Sequence, residues 1–596
     1  MNATRKHLPI GRPRSPFSKH SRSSSFSLVT SQVGGLPLIN EILARTKLEE
    51  FLEAYLPRSR REPLIPSSKV LLLLVRNLVV AREPMYGVGE WASRFAPDLL
   101  GLSFDPFRAL NDDRVGRCLD QLFQADSSSL ILATITHVVK EFQVELDELH
   151  NDSTTVTFCG RYEGGALKLP RFGKPTLGLT YGHNKDHRPD LKQLLFLLTV
   201  SQDGGVPVHF KAADGNLTDD RTHQETWKLL CQITGRKDFL YVADSKLATS
   251  ENMTYIHERG GRFISVLPRT RREDREFREL LLQQRIDWKD VEIKGGVEGE
   301  PEDVIALANH KTLSAEGFRV LWFHSSQKQE LDRWARQQKI EKSLLALSAL
   351  REKLRSTRTR YRDRAKVEHS VQKILESHGT NRWVQVEIQQ KEAAIFRQSH
   401  RGRPGKKTTY ERRVQTRYDL GYEVETVKLA QDSVDDGVFP LITNDAALLE
   451  LDVLHAYKRQ PLVEKRFSQL KSDFHVAPVY LKSIVRIEAL LCMYFFALLV
   501  QALLEREARR GMKAHRLQSL PLYPEQRKCD RPSTRRILDV LENIERTEIW
   551  ERGKLKSRLV TELSSIQSKL LEILNFPEQG FGQPTHEKLR GEETRS

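Results

Sequence analysis

Between Leu146 and Thr270 the chain alternates between strand-like and helix-like text, and the order of that alternation constrains the fold more than any other feature. The segments ELHNDSTTVTFCGRY, LKQLLFLLTVSQDGGVPVHFKAAD, DFLYVADSKL and GRFISVLPRT are rich in β-branched, apolar and aromatic residues, which suit a pleated, half-buried surface. Asp203-Gly204-Gly205 breaks the second of them as a turn, since glycine reaches the positive φ that hairpins need. Between the later segments, TDDRTHQETWKLLCQITG and TSENMTYIHERGG open on Thr and close on Gly, as capped helices do. The order is strand, strand, strand, helix, strand, helix, strand. Such an order predicts an α/β fold built on a mixed sheet.

Around this core the text divides further. Residues 1–35 are rich in Ser, Arg, Pro and Gly and read as a flexible basic tail. Residues 36–145 read as a helical domain, with LPLINEILARTKLEEFLEAYL and SSKVLLLLVRNLVVARE as its clearest helices. The strand-rich core covers 146–269 and returns at 431–505. Between them, 270–430 reads as an insertion with a long helix from Leu331 that continues through Arg351–Lys366, a run of eight basic residues and two acidic ones. Residues 506–596 read as a helical C-terminal region ending in a polar tail.

A chain of 596 residues with 95 Lys+Arg against 79 Asp+Glu carries +16, which favours an anionic partner. Its five cysteines form no CxxC pair, so neither a zinc ribbon nor a disulfide framework is indicated. No apolar segment follows the basic N-terminus, so no secretory signal is read. The run Ala489–Leu504 is too short for a membrane span of ~20 residues and reads as a buried core helix.

Three acidic residues stand out. Asp152 interrupts a β-branched strand, where Asp is disfavoured without a partner or metal. Asp244 follows the apolar run Phe239–Ala243, at the carboxyl end of a strand, where open α/β sheets place their sites. Glu464 lies just inside a helix that Pro461 opens. Taken singly, each is more often a turn former, a cap or a complement to a helix dipole than a functional group.

Together the stretches LHNDSTTVTF, GHNKDHRPDLKQL, DGNLTDDRTH, VADSKL, GGRFISVLPRTR and Tyr457 through Lys471 resemble a DDE transposase of the insertion-sequence-four superfamily, over about residues 146–505. The resemblance implies an RNase H-like core with a large insertion before the catalytic Glu. It implies Asp152, Asp244 and Glu464 as the triad and as ligands of two Mg²⁺ ions, with Mn²⁺ as a substitute. Tyr457 and Lys471 fit the superfamily's tyrosine-arginine-glutamate-lysine signature and would grip phosphate, while Gln460 stands at the arginine position beside Arg459. The implied partners are double-stranded DNA, as terminal inverted repeats and target, and a second copy of the chain in the DNA complex; residues 36–145 would bind the ends. A bacterial-type, nucleoid-associated cytoplasmic enzyme is expected, with no membrane. An RNase H-like nuclease without strand transfer and a catalytically idle DNA-binding derivative remain as alternatives.

The seven-residue spacing of Glu464 and Lys471 puts both on one face of an α-helix. The basic run Arg351–Lys366 reads equally as a phosphate-contacting surface and as a solvated helix face. His183, His187 and His223 lie near the acids and read as sheet-ordering residues. GRPGKKTT at 402–409 fails the P-loop pattern, and the Leu490–Leu499 cluster reads as core or an oligomer interface.

Overall fold

The structure, a computed structural model, describes residues 26–581 apart from 59–62, 106–108, 163–164, 169, 183, 186–187, 218–221, 284–285, 296–301, 357–358 and 474–480. Its strands are β1 (Phe26–Gln32), β2 (Glu148–Phe158), β3 (Lys192–Ser201), β4 (Pro207–Asp214), β5 (Leu240–Ala243), β6 (Arg262–Val266), β7 (Trp288–Lys294), β8 (Asp303–Ala308), β9 (Thr312–Leu313), β10 (Arg319–Ser325), β11 (Val384–Gln398), β12 (Tyr410–Val424), β13 (Val438–Thr443), β14 (Glu545–Glu551) and β15 (Lys554–Val560).

The expected core forms. β4, β3 and β2 are antiparallel neighbours, and β5 and β6 continue from β2 as parallel strands. The helices His223–Thr234 and Ser250–Glu258 are the connections on either side of β5. This is the RNase H-like mixed sheet of an α/β fold. Gly204 and Gly205, both at positive φ, make the tight turn between β3 and β4.

The insertion does not stand apart as a single domain. Its first part continues the core sheet: β13, from the returning core, adds antiparallel to β6, and the insertion's β10, β8 and β7 follow outward from β13 in turn. Only its second part has a separate core. There the helices Ser326–Arg355 and Arg364–His378 pack with the base of the β11–β12 hairpin through Ile340, Leu347, Leu350, Val371, Val384 and Leu420. The expected continuous helix through Arg351–Lys366 is therefore broken. Ser356 is extended, and Asp363 caps the next helix by accepting from Ala365 N at 3.1 Å, which is the N-cap role short acidic side chains favour.

The helix Ile484–Ala514 is the central support. By length and composition it could cross a membrane, yet 94% of its most apolar 18-residue window is buried inside the protein, so the Ala489–Leu504 run is packed as core. It packs against Leu36–Thr46, Ser67–Val80 and Asp112–Gln124 of the N-terminal region and against β4, where Phe495 stacks on Phe210. One hydrophobic core thus joins residues 36–142 to the sheet.

Two expectations fail at the chain ends. Phe26–Gln32, expected within the flexible tail, pairs along its whole length with β14; residues 1–25 lie outside the described residues. The C-terminal region is not wholly helical, because β14 and β15 form a hairpin. Arg552 and Gly553, both at positive φ, supply the two-residue turn that matches strand twist. The run FSLVT is obscured by the Ser- and Arg-rich composition around it, and its partner lies at the far end of the sequence.

Candidate functional site

β2 and β5 run parallel, with Asn151 opposite Ala243 as their last paired residues. Asp152 and Asp244 each come one position later, so the sheet register sets the two residues at neighbouring positions at the carboxyl end of β5. Neither is loose. Asp152 Oδ1 accepts from Ser153 N at 2.7 Å and from the Lys185 ammonium at 3.3 Å. Lys185 also donates to the Ser153 carbonyl and hydroxyl. Asp244 Oδ1 accepts from Lys246 N at 3.1 Å, and Ser265 Oγ donates to its carbonyl at 2.7 Å.

Glu464 is exposed on the helix Pro461–Ser468, which packs on β2 and β3. The opposite side of this helix is fixed in the interior. Arg466, with a side chain 1% exposed, pairs with the fully buried Glu505 of the central helix at 2.9 Å and donates to the carbonyls of Gly204 and Gly205. Lys465 and Gln469 bond to the same carboxylate.

The corner before the helix is latched to β2. Glu148, His150 and Asp152 alternate along the strand and so share one face. Arg459 grips Glu148 through two bonds of 2.6 and 2.5 Å. The amide of Gln460 meets His150 Nδ1 at 3.0 Å and donates to the Asn151 carbonyl at 3.1 Å. Gln460 and the adjacent Arg459 are therefore both bound to the strand that carries Asp152. Sequence reasoning missed this latch, although three polar residues at period two on a β-branched strand were a visible signal for it.

Burial by itself would raise the Glu148 carboxyl, but the hydrogen-bonded Arg459 and His150 outweigh it and hold the group at about 2 against an ordinary 4.5. A folded value below the unfolded one stabilises the protein above pH 4.5, and the contribution is lost as pH falls from 4.5 towards 2. It is worth on the order of 3 kcal/mol. Urea midpoints measured across that window should fall steeply for the parent and less for Glu148→Gln; parallel curves would show that the latch is energetically idle.

Tyr457 ends the helix Glu450–Tyr457 and is half-buried. Burial first, and then the negative charges of Asp244, Glu464 and Asp152, push its phenol up to about 12. One hydroxyl thus lies within electrostatic reach of all three acids. Among the described residues, however, no three His, Cys, Asp or Glu side chains are grouped closely enough to hold a metal ion. The two aspartates are brought together, whereas Glu464 stands on the adjoining exposed helix face.

Lys471 sits in a π-helical turn, Gln469–Asp473, that follows directly on the Glu464 helix. The wider turn takes Lys471 out of the α-helical phase that the seven-residue spacing implied. His223 lies buried with its Nδ1 3.0 Å from the Tyr241 hydroxyl on β5. His183 and His187 lie outside the described residues. The 402–409 segment is the turn of the β11–β12 hairpin, with no strand-to-helix context for a phosphate loop. In the basic run, Arg351 and Arg355 are both committed to Asp419, and Arg364 to Glu368.

The fold and the site define an α/β protein with a mixed sheet that carries two register-matched aspartates at its carboxyl edge. Compared with known families, residues 28–136 match one described as a domain of unknown function, DUF4277. No curated protein matches the chain.

Proposed function

We propose that this chain is a DDE transposase that cuts DNA at the ends of an insertion sequence and joins them to a target. The observation that carries the reading is the register of β2 and β5, whose last pair is Asn151 and Ala243, the residues just before Asp152 and Asp244, together with the latch that bolts the Glu464 helix onto the same strand. Carboxylate oxygens are the hard donors that Mg²⁺ prefers, and Asp152 and Asp244 would hold it, with Glu464 joining them only if brought in from the adjoining helix face. Bound there, two such ions supply charge stabilisation to the attacking and leaving oxygens of phosphodiester exchange.

The protein's own groups have separate tasks. Lys185 sets a positive charge against the Asp152 carboxylate. The Tyr457 phenol, kept protonated by its surroundings, donates a hydrogen bond to a phosphate oxygen. Lys471 supplies a positive charge to the DNA strand beside the cut. The partners under this reading are terminal inverted repeats, target duplex and a second copy of the chain, in a nucleoid-associated cytoplasmic setting.

The test is incubation of the full chain with Mg²⁺ or Mn²⁺, labelled DNA flanking its reading frame, and a target plasmid. Joined products bearing the labelled end are expected. Cleavage with no joined product would identify a nuclease of the same fold, and binding without cleavage a catalytically idle derivative.

A further inference from the structure

β11 and β12 are paired without a break from Val384↔Val424 to Gln398↔Tyr410, but only the base of this ribbon is packed. Val384, Val386, Ile388, Tyr418, Leu420 and Tyr422 belong to the insertion's core. Beyond Gln390↔Tyr418 both strands run into solvent for eight further residue pairs, roughly 27 Å at ~3.4 Å per residue. Two-stranded ribbons are marginal in water, so a projecting one needs a brace. Asp419 provides it, accepting from Arg351, Arg355 and Lys391 at the point where the ribbon leaves the core. Its carboxyl is held well below the usual range, since these bonds outweigh the burial that would raise it.

The far half has an unusual surface. Residues 397–413 contain seven Arg or Lys and one Glu, a net of +6 within the +16 of the whole chain. Arg397, Arg401, Arg403, Lys406, Lys407 and Arg412 are exposed and form no ion pair among the described residues. On one face, Phe396 sits opposite Arg412 and diagonal to Tyr410 and Val414, and these three apolar side chains are 66%, 52% and 61% exposed. The turn itself is ordered, with Ser399 N bonded to the Thr409 carbonyl at 2.9 Å and Gly405 N to Thr408 Oγ1 at 2.7 Å. Charges on an exposed strand pair do discourage edge-to-edge aggregation. That role needs only a few of them and does not account for aromatic rings left in water beside the cations.

We infer that the β11–β12 ribbon is an arm that lies in a groove of duplex DNA. A major groove ~12 Å wide admits a two-stranded ribbon, and the projecting length is a little under one helical turn of ~34 Å. The tip cations meet phosphates on the groove walls, while Phe396 and Tyr410 contact base edges. The uniform positive charge disfavours a second copy's arm as the occupant. The inference deepens the proposed function and rests on the chain acting on DNA.

The test is fluorescence anisotropy of the full chain on a labelled duplex of random sequence, about three helical turns long, at several NaCl concentrations. Joint replacement of Arg401, Arg403, Lys406 and Lys407 by alanine should reduce the slope of log affinity against log salt by ~0.9 for each phosphate no longer neutralised, up to ~3.6. Phe396→Ser with Tyr410→Ser should weaken binding with the slope unchanged. Neutralising Arg552, Lys554 and Lys556 should leave both quantities near the parent's. Equal slope changes in the arm and control variants would reduce the effect to net charge and overturn the inference. So would parental DNA binding by the arm variant, whether or not it loses self-association in the ultracentrifuge. Arm-dependent binding by a chain that never cleaves would instead overturn the transposase reading alone.

Discussion

Under the proposed function, Asp152→Ala and Glu464→Ala should each abolish Mg²⁺-dependent nicking of the flanking DNA while leaving duplex binding intact. The stabilisation at stake is several kcal/mol at the reacting phosphate, and at about 1.36 kcal/mol per tenfold this is on the order of a thousandfold in rate. The structure makes the comparison clean. Glu464 is exposed, and among the described residues no hydrogen bond or ion pair from its side chain holds the fold. Asp152 has a partner in Lys185, whose side chain is 36% exposed, so the abandoned ammonium can be rehydrated at a cost of about 1 kcal/mol or less. Loss of nicking in either variant, with an unchanged urea midpoint, is then a loss of chemistry. Undiminished nicking by either would remove that residue from the site.

Glu505→Ala should destabilise the protein by about 3–5 kcal/mol, because it strands a buried guanidinium. Burial would raise the Glu505 carboxyl, but Arg466 and Lys465 pull it down to about 2, which places the negative charge firmly on the central helix. Arg466 keeps its bonds to the Gly204 and Gly205 carbonyls in the variant, yet these neutralise none of its charge. The double variant Arg466→Met, Glu505→Leu should recover most of the loss, since buried ion pairs are often matched by apolar side chains of similar volume. Urea unfolding of the three proteins checks this. A single-variant loss below about 1 kcal/mol would mean that the carbonyl bonds alone satisfy the arginine.

What could be read from the sequence follows the range of the interactions. The order of strands and helices in 146–269, the Gly204-Gly205 turn and the core helix around Leu498 are local patterns, and they were legible. Asp152 and Asp244 were legible because each breaks the rule of its own segment. Which strands extend the sheet beyond β6 was not legible. DVIALA and RVLWFHS are short apolar runs that could serve any sheet, and only packing assigns them to the core. The π-helical turn at Gln469 was equally hidden, because seven-residue spacing presumes an unbroken α-helix. Gln460 looked like a departure from a signature, and its amide proves to be part of the hold on β2.

The pairing of β1 with β14 bears on how this protein is made. Phe26 is opposite Glu551, and Val33 and Gly34 both donate to the Ile544 carbonyl. During synthesis the first strand therefore emerges long before its partner exists. The helices of residues 36–142 face the same delay, because their apolar surfaces close on a central helix encoded after residue 483. A nascent chain holds these surfaces open until Ile484–Ala514 and then Glu545–Glu551 have been made, so a ribosome that stops before them releases a product with neither a finished core nor a closed terminal sheet.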